Sequence, residues 1–258
     1  MLEKVKFNKK PMKKAEYKEQ WERTSGQARG APAAGPQRGR GLVVLFEGWN
    51  GAGKGSRISD LMYHLDARST GVYVGLDLDP DTEREFVGRE CGVTGFYPIM
   101  QPFWKALGER NSITFYDRGW YTAVIQHMLY NAPAKLLLPK KEERHYLDSV
   151  HDFEQQLVSD GYVVVKFFVH MTKKAQVERL QRLHDDPVTR WRVTEKKLES
   201  HHGYETAYEL YDRLLERSDY DLPRGCCSTA RTSVARTSPS PARWWTPWSA
   251  RRPQGGRR

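Results

Sequence analysis

The residues best suited to chemistry form one short run, Gly48-Trp49-Asn50-Gly51-Ala52-Gly53-Lys54-Gly55-Ser56. Its spacing is a variant of G-x-x-x-x-G-K-[ST], with Gly55 inserted ahead of the hydroxyl residue. Glycines at 48, 51, 53 and 55 let backbone N–H groups converge on anionic oxygens with no Cβ in the way. A helix beginning near Lys54 would aim its positive end at the same anion, and Lys54 adds a full charge. Ser56 offers a hydroxyl oxygen suited to Mg2+, and Asn50 a hydrogen-bonding amide. The bland alternative is a glycine-rich turn without function. It leaves unexplained why strand, loop and helix signals coincide here.

A second constellation, Asp117-Arg118-Gly119-Trp120-Tyr121, follows the apolar run SITFYD. At the end of a strand, Asp117 could hold Mg2+ and Arg118 could clamp phosphate oxygens in a fork. Alternatively, Asp117 simply caps the next helix. Lys166 interrupts the apolar run VVVKFFV and needs an anionic partner if buried. Phosphate is one candidate partner; a sheet-edge lysine facing water is the alternative. Arg179, Arg182, Arg190 and Arg192 flank the segment HDDPVTRWRVT. On a hinged flap they would neutralise phosphoryl charge on closure; otherwise they are solvated helix charges. The adjacent His201 and His202 read as surface residues, and no nucleophilic triad is evident.

These residues need a scaffold, and the hydrophobic pattern supplies one. LVVLFEG (42–48), VYVGLDL (72–78), SITFYD (112–117) and YVVVKFFVH (162–170) read as strands. Helical stretches lie between them, at 56–66 and roughly at 98–108, 119–130, 141–159 and 173–184. A further amphipathic helix or helix pair occupies 194–217, with Thr194 at its N-cap. Strands alternating with helices predict an α/β fold whose parallel sheet is covered on both faces.

The net charge of +10 is unevenly spread. Residues 223–258 hold eight Arg and no acid, and 24–40 hold three more, so the body of the chain is nearly neutral. A nucleic-acid partner is therefore not expected. No apolar run is long enough to cross a membrane, and three cysteines, Cys91 and the adjacent Cys226 and Cys227, make no disulfide framework, which points to the cytoplasm. Residues 1–41 read as a basic lead and a low-complexity linker, 42–222 as the folded domain, and 223–258 as a disordered tail. The tail's Arg, Pro, Ser and Trp composition is that of GC-rich DNA translated out of frame, so a frameshift near Leu222 is expected. A basic polyanion-binding arm is the alternative.

Together, FEGWNGAGKGS (46–56), FYDRGWY (115–121), DFEQQLVSDGYVVVKFFVH (152–170) and DPVTRWRVTEKKLESHHGYETAYELYDRLLERSD (186–219) resemble the polyphosphate kinase 2 family over about 42–222. The resemblance implies a P-loop kinase-like three-layer fold with a helical lid. It implies phosphoryl transfer between polyphosphate and a nucleoside mono- or diphosphate such as AMP or ADP, with Mg2+, in a homo-oligomer. Carried onto this sequence, Lys54, Asp117, Arg118 and Asn50 are catalytic, and Asp117 and Ser56 hold the metal. Gly48, Gly51, Gly53, Lys54, Gly55, Ser56 and Lys166 bind phosphate, and Arg179, Arg190 and Arg192 belong to the lid. The opening MLEKVKF is similar to the start of the tandem, AMP-using type. Departures stand at Asn50, Ala123 and His127, where the family favours Asp, Arg and Glu. Gln101-Pro102 replace a Trp-Arg pair, and Asp77, Asp79 and Asp81 crowd a region usually basic. Two alternatives follow: a catalytically silent structural copy, or an ATP-dependent small-molecule kinase of the same fold.

Overall fold

Strand β1 (Gly41–Gly48) has Val43, Leu45 and Phe46 at 0% exposure, although successive side chains point to opposite faces. A strand covered on both faces belongs at the centre of a parallel sheet between helical layers. The computed structural model describes residues 2–4, 39–75, 98–131, 140–218 and 231–236, with positions 15 and 19 in isolation. Its sheet is wholly parallel, in the order β2 (Thr70–Val74), β3 (Ile113–Asp117), β1, β4 (Tyr162–His170), β5 (Arg231–Arg236). From β1 the chain moves outward to β2 and back to β3, then crosses to β4 on the other side. The switch opens a crevice at the C-terminal ends of β1 and β3, where ligands bind in open α/β sheets.

The helices are α1 (Lys54–Met62), α2 (Gln101–Lys105), α3 (Trp120–Asn131), α4 (Lys140–Ser159), α5 (Lys173–Asp185), α6 (Glu195–Glu199) and α7 (Tyr204–Ser218). Helix α1 packs on β1 and β3, α4 on β4, and α3 on α4, α7 and β1. Thr172 caps α5 by accepting from the Ala175 amide at 3.2 Å. The chain leaves helix at Asp186, the residue before Pro187, as proline's clash with the preceding residue requires. Thr194 accepts from the Lys197 amide at 3.3 Å, and a 3-10 turn at Ser200–Gly203 divides α6 from α7.

Two expectations change. The 223–258 tail was expected to contribute no packed element, yet residues 231–236 add β5 beside β4, with Thr232 opposite Lys166. Lys166 was expected to meet phosphate or water. It is 2% exposed, and its Nζ donates to Glu154 Oε2 and to the Ser218 carbonyl, both at 2.8 Å. Glu154, fully buried, also accepts from Trp120 Nε1 at 3.0 Å. The anion that Lys166 requires is thus a carboxylate of α4, joining sheet, α3 and the end of α7. The acidic run at Asp77, Asp79 and Asp81 lies outside the described residues. Among the described residues, no helix is long and apolar enough to cross a membrane.

Candidate phosphate-binding site

The crevice is shaped by the turn from β1 into α1. Gly48 has φ 114, and a Cβ there would lie 2.3 Å from the Val169 carbonyl oxygen, so only glycine lets β1 end this close to β4. Trp49 turns inward. Its Nε1 donates to His170 Nδ1 at 2.8 Å, and its ring stacks on Tyr204 with centroids 4.2 Å apart. Burial pushes His170 down to about 4, which keeps Nδ1 an acceptor for this bond. Gly53, with φ 89, is the left-handed N-cap from which α1 starts. Lys54 is 7% exposed, and its Nζ donates to the carbonyls of Gly48 at 2.8 Å and Trp49 at 3.0 Å. The ammonium therefore lies inside the loop, at the positive end of α1.

The second constellation arrives from β3, where Asp117 pairs with Phe46. Arg118 adopts φ 64 and donates its N–H to the Phe46 carbonyl at 3.0 Å. The Asp117 Oδ2 atom lies 3.2 Å from where a Cβ on Gly55 would sit, so the carboxylate overhangs the first turn of α1. Beneath both segments lies Glu47, 2% exposed. Its Oε1 accepts from the amides of Gly119 at 2.9 Å, Tyr121 at 3.1 Å and Thr122 at 3.2 Å. The Thr122 hydroxyl donates to its Oε2. Burial raises the Glu47 carboxyl above its ordinary range, opposed by these bonds and by the charge of Lys54.

A cleft of about 600 Å³ opens between these segments and the region following β4. It is lined by Asn50, Gly51, Gly53, Lys54, Gly55 and Ser56 of the loop, by Asp117 and Arg118, and by Arg179 and Arg192. All ten were expected from the sequence. Gly48 sits below, at the strand end. Arg190 does not line the cleft; its Nε donates to the His184 carbonyl at 2.9 Å. Lys166 is equally remote, in the core. Polar residues the sequence did not single out are Ser59, Asp60 and Lys197 in the lining, and Glu47 behind it. Glu47 could have been noticed, because an acid inside LVVLFEG carries the same signal as Lys166 inside its own apolar strand.

The lining cations Lys54, Arg118, Arg179, Arg192 and Lys197 outnumber the carboxylates Asp60 and Asp117. Arg179 Nε is buried without a hydrogen-bond partner among the described residues. Burial first, then the charges of Arg182 and Arg57, lower the basicity of its guanidinium. A partly buried cation crowded by other cations is suited to an anionic ligand. Positions 123 and 127, where the resemblance leads one to expect Arg and Glu, do not line the cleft: Ala123 packs on the core, and His127 Nε2 meets the Tyr146 hydroxyl at 2.6 Å. Gln101 and Pro102 open α2.

Among the described residues no three His, Cys, Asp or Glu side chains form a metal cage. Asp117 and the Ser56 hydroxyl both line the cleft beside the glycine-rich loop, a donor set suited to a divalent cation shared with phosphate oxygens rather than to one enclosed by protein. The residues present fit Mg2+ in that mode.

A parallel sheet in the order 2-3-1-4-5, with a Gly-Lys loop at the switch point and an Asp-Arg turn on the adjacent strand, defines a P-loop phosphotransferase fold. The chain belongs to the polyphosphate kinase 2 family, whose sequence profile matches residues 11–237. It is 27% identical over 187 residues to the polyphosphate:AMP phosphotransferase of Pseudomonas aeruginosa, covering 72% of this chain and 34% of that protein. It is 31% identical over 160 residues to a GDP-polyphosphate phosphotransferase of Mycolicibacterium smegmatis, covering 61% of this chain and 50% of that one. A solved structure from Pseudomonas aeruginosa described as a polyphosphate kinase 2 superposes with TM-score 0.75 at 22% identity, covering 96% of this chain and 48% of that one. Another from Arthrobacter aurescens gives 0.65 at 19% identity, covering 90% and 73%. The chain spans from a third to a little over half the length of the curated relatives it matches.

Proposed function

We propose that the domain transfers phosphoryl groups between polyphosphate and a nucleoside mono- or diphosphate, AMP or ADP. The observation that carries this reading is the convergence of the phosphate loop, Asp117, Arg118 and the lid arginines Arg179 and Arg192 on one cation-rich cleft. In the transfer, a phosphate oxygen of the acceptor attacks the terminal phosphorus of polyphosphate in line. The bridging P–O bond breaks, and its electron pair stays on the shortened chain. Lys54 and the loop amides neutralise the charge on the transferred group, and Arg118 clamps its equatorial oxygens. Arg179 and Arg192 add charge from the other wall and help exclude water. Mg2+, when bound, supplies further neutralisation; Asp117 and Ser56 are the residues that would hold it, with Asn50 beside them. The working unit is 42–222 with strand 231–236. The same reading has the protein act as a homo-oligomer in the cytoplasm, its oligomeric state to be measured by light scattering. A shifted reading frame in the tail is tested by resequencing, and a clean frame rejects it.

One observation favours a second reading, a silent copy within a longer enzyme: Asn50, an uncharged amide, lines the cleft at the position where the sequence resemblance leads one to expect Asp. Purified protein incubated with polyphosphate, AMP or ADP, and Mg2+ separates the cases. Nucleotide formation supports the transferase. Binding without turnover, restored by Asn50→Asp, supports the silent copy. Turnover with ATP as sole donor would replace both with a small-molecule kinase.

A further inference from the structure

Where the β1–β3 ladder ends, at Phe46 opposite Asp117, one backbone bond continues it, from the Arg118 amide to the Phe46 carbonyl. Beyond that point no ladder pair among the described residues joins the phosphate loop to the Asp117-Arg118 turn. Their separation must be set by something other than the sheet, and the next side chain on β1 is Glu47.

We infer that Glu47 is a positioning residue: its buried carboxylate fixes the Asp117-Arg118 turn against the phosphate loop, and so sets where both functional groups meet the phosphates. The inference rests on the functional reading above. Glu47 does not line the cleft, so it acts through its neighbours. Its Oε1 gathers the amides of Gly119, Tyr121 and Thr122 at the start of α3. Amides in a helix's first turn have no intrahelical acceptor, and here the cap comes from a different strand. The bond to Gly119 falls one residue beyond Arg118, whose left-handed backbone persists only if its surroundings over-determine it. The other oxygen, Oε2, receives the Thr122 hydroxyl. That hydroxyl lies 3.2 Å from the Tyr211 hydroxyl, and the Tyr211 ring meets Trp49 edge-on at 5.5 Å. Trp49 stands two residues after Glu47 on the phosphate loop. The contacts therefore close a ring, from Glu47 through Thr122 and Tyr211 to Trp49. Both walls of the site are referenced to one carboxylate.

Three substitutions test this. Thr122→Val keeps shape and removes the hydroxyl. Thr122→Ser restores it. Glu47→Gln keeps size and one acceptor but turns the other oxygen into a donor. Each variant is checked for folding by circular dichroism. Then kcat, the nucleotide KM and the Mg2+ concentration for half-activation are measured. Calorimetry adds the Mg2+-dependent affinity for inorganic triphosphate. Thr122→Val and Glu47→Gln should fold, lose about tenfold or more in kcat and need more Mg2+, while the nucleotide KM stays within about twofold. Thr122→Ser should return toward wild type. Unchanged kcat and Mg2+ requirement in both variants would overturn the inference, as would equal impairment in Thr122→Val and Thr122→Ser. If wild type transfers no phosphoryl group, the functional reading fails instead. The triphosphate affinity then decides: about a tenfold loss in Thr122→Val supports the positioning role, and unaltered binding refutes it.

Discussion

Replacing Lys166 with Met separates two accounts of one cation. If Lys166 binds phosphate, the substitution weakens polyphosphate affinity and leaves the fold intact. If it is the core partner of Glu154, the fold carries the loss. The two side chains are 2% and 0% exposed and meet at 2.8 Å. Removing one partner of such a pair leaves a buried charge, at a cost of about 3–5 kcal/mol. The Ser218 carbonyl also loses its bond from Nζ, which adds roughly 1–3 kcal/mol if nothing replaces it. Met follows the lysine stem and keeps most of the packing, which holds the net cost near the lower end, about 4 kcal/mol. At about 2–4 °C per kcal/mol for a domain this size, the melting temperature falls by roughly 8–16 °C. Scanning calorimetry with and without polyphosphate measures both quantities. Adding Glu154→Gln removes the stranded charge while sparing the acceptor of Trp120 Nε1, so the double variant should recover at least about 1.5 kcal/mol. A Lys166→Met protein that melts within about 2 °C of wild type and binds polyphosphate poorly would refute the core assignment.

Lys54→Ala removes a charge-assisted donor worth about 1.5–3 kcal/mol, so triphosphate affinity measured by calorimetry should fall by at least about tenfold. Gly55→Ala places a Cβ 3.2 Å from Asp117 Oδ2; the carboxylate must shift by a few tenths of an ångström, and the Mg2+ concentration for half-activation should rise with little change in melting temperature. His170 is pushed down to about 4 from its ordinary 6.5, chiefly by burial and against the pull of Asp212. The unfolded chain then takes up the proton first as pH falls. Stability present above pH 6.5 is lost between 6.5 and 4, by up to about 3 kcal/mol. Urea denaturation across that range should show the loss, and His170→Asn should flatten it.

The strands at 42–48, 112–117 and 162–170 were legible because buried parallel strands are short runs of β-branched and aromatic residues; the run at 72–78 has the same residue types but forms an edge strand with Val72 and Val74 exposed. Three of the four match the structure closely; the fourth, expected at 72–78, begins two residues earlier at Thr70 and ends at Val74, with residues 76–78 outside the described ones. Helix ends were less legible. The run expected at 56–66 starts at Lys54 and stops at Met62, and 98–108 shrinks to Gln101–Lys105, because terminal turns depend on local backbone bonds rather than periodicity. In the site, the Gly-Lys loop and the Asp-Arg turn were visible because phosphate binding demands glycine and fixed charge at close spacing. Strand β5 was not visible, since RTSVAR carries no apolar alternation that would mark it.

From the sequence alone came the chemical repertoire: a phosphate loop, an acid and an arginine at a strand end, and arginines around a proline-marked segment. Local spacing suffices for those, since each works through neighbouring backbone. Which charges face the ligand and which face each other was decided only in three dimensions. Lys166 and Glu47 both interrupt apolar strands, and nothing local says that one finds Glu154 on α4 and the other caps α3. A buried charge takes its role from the partner that packing brings to it, and that partner lies on a different element in both cases.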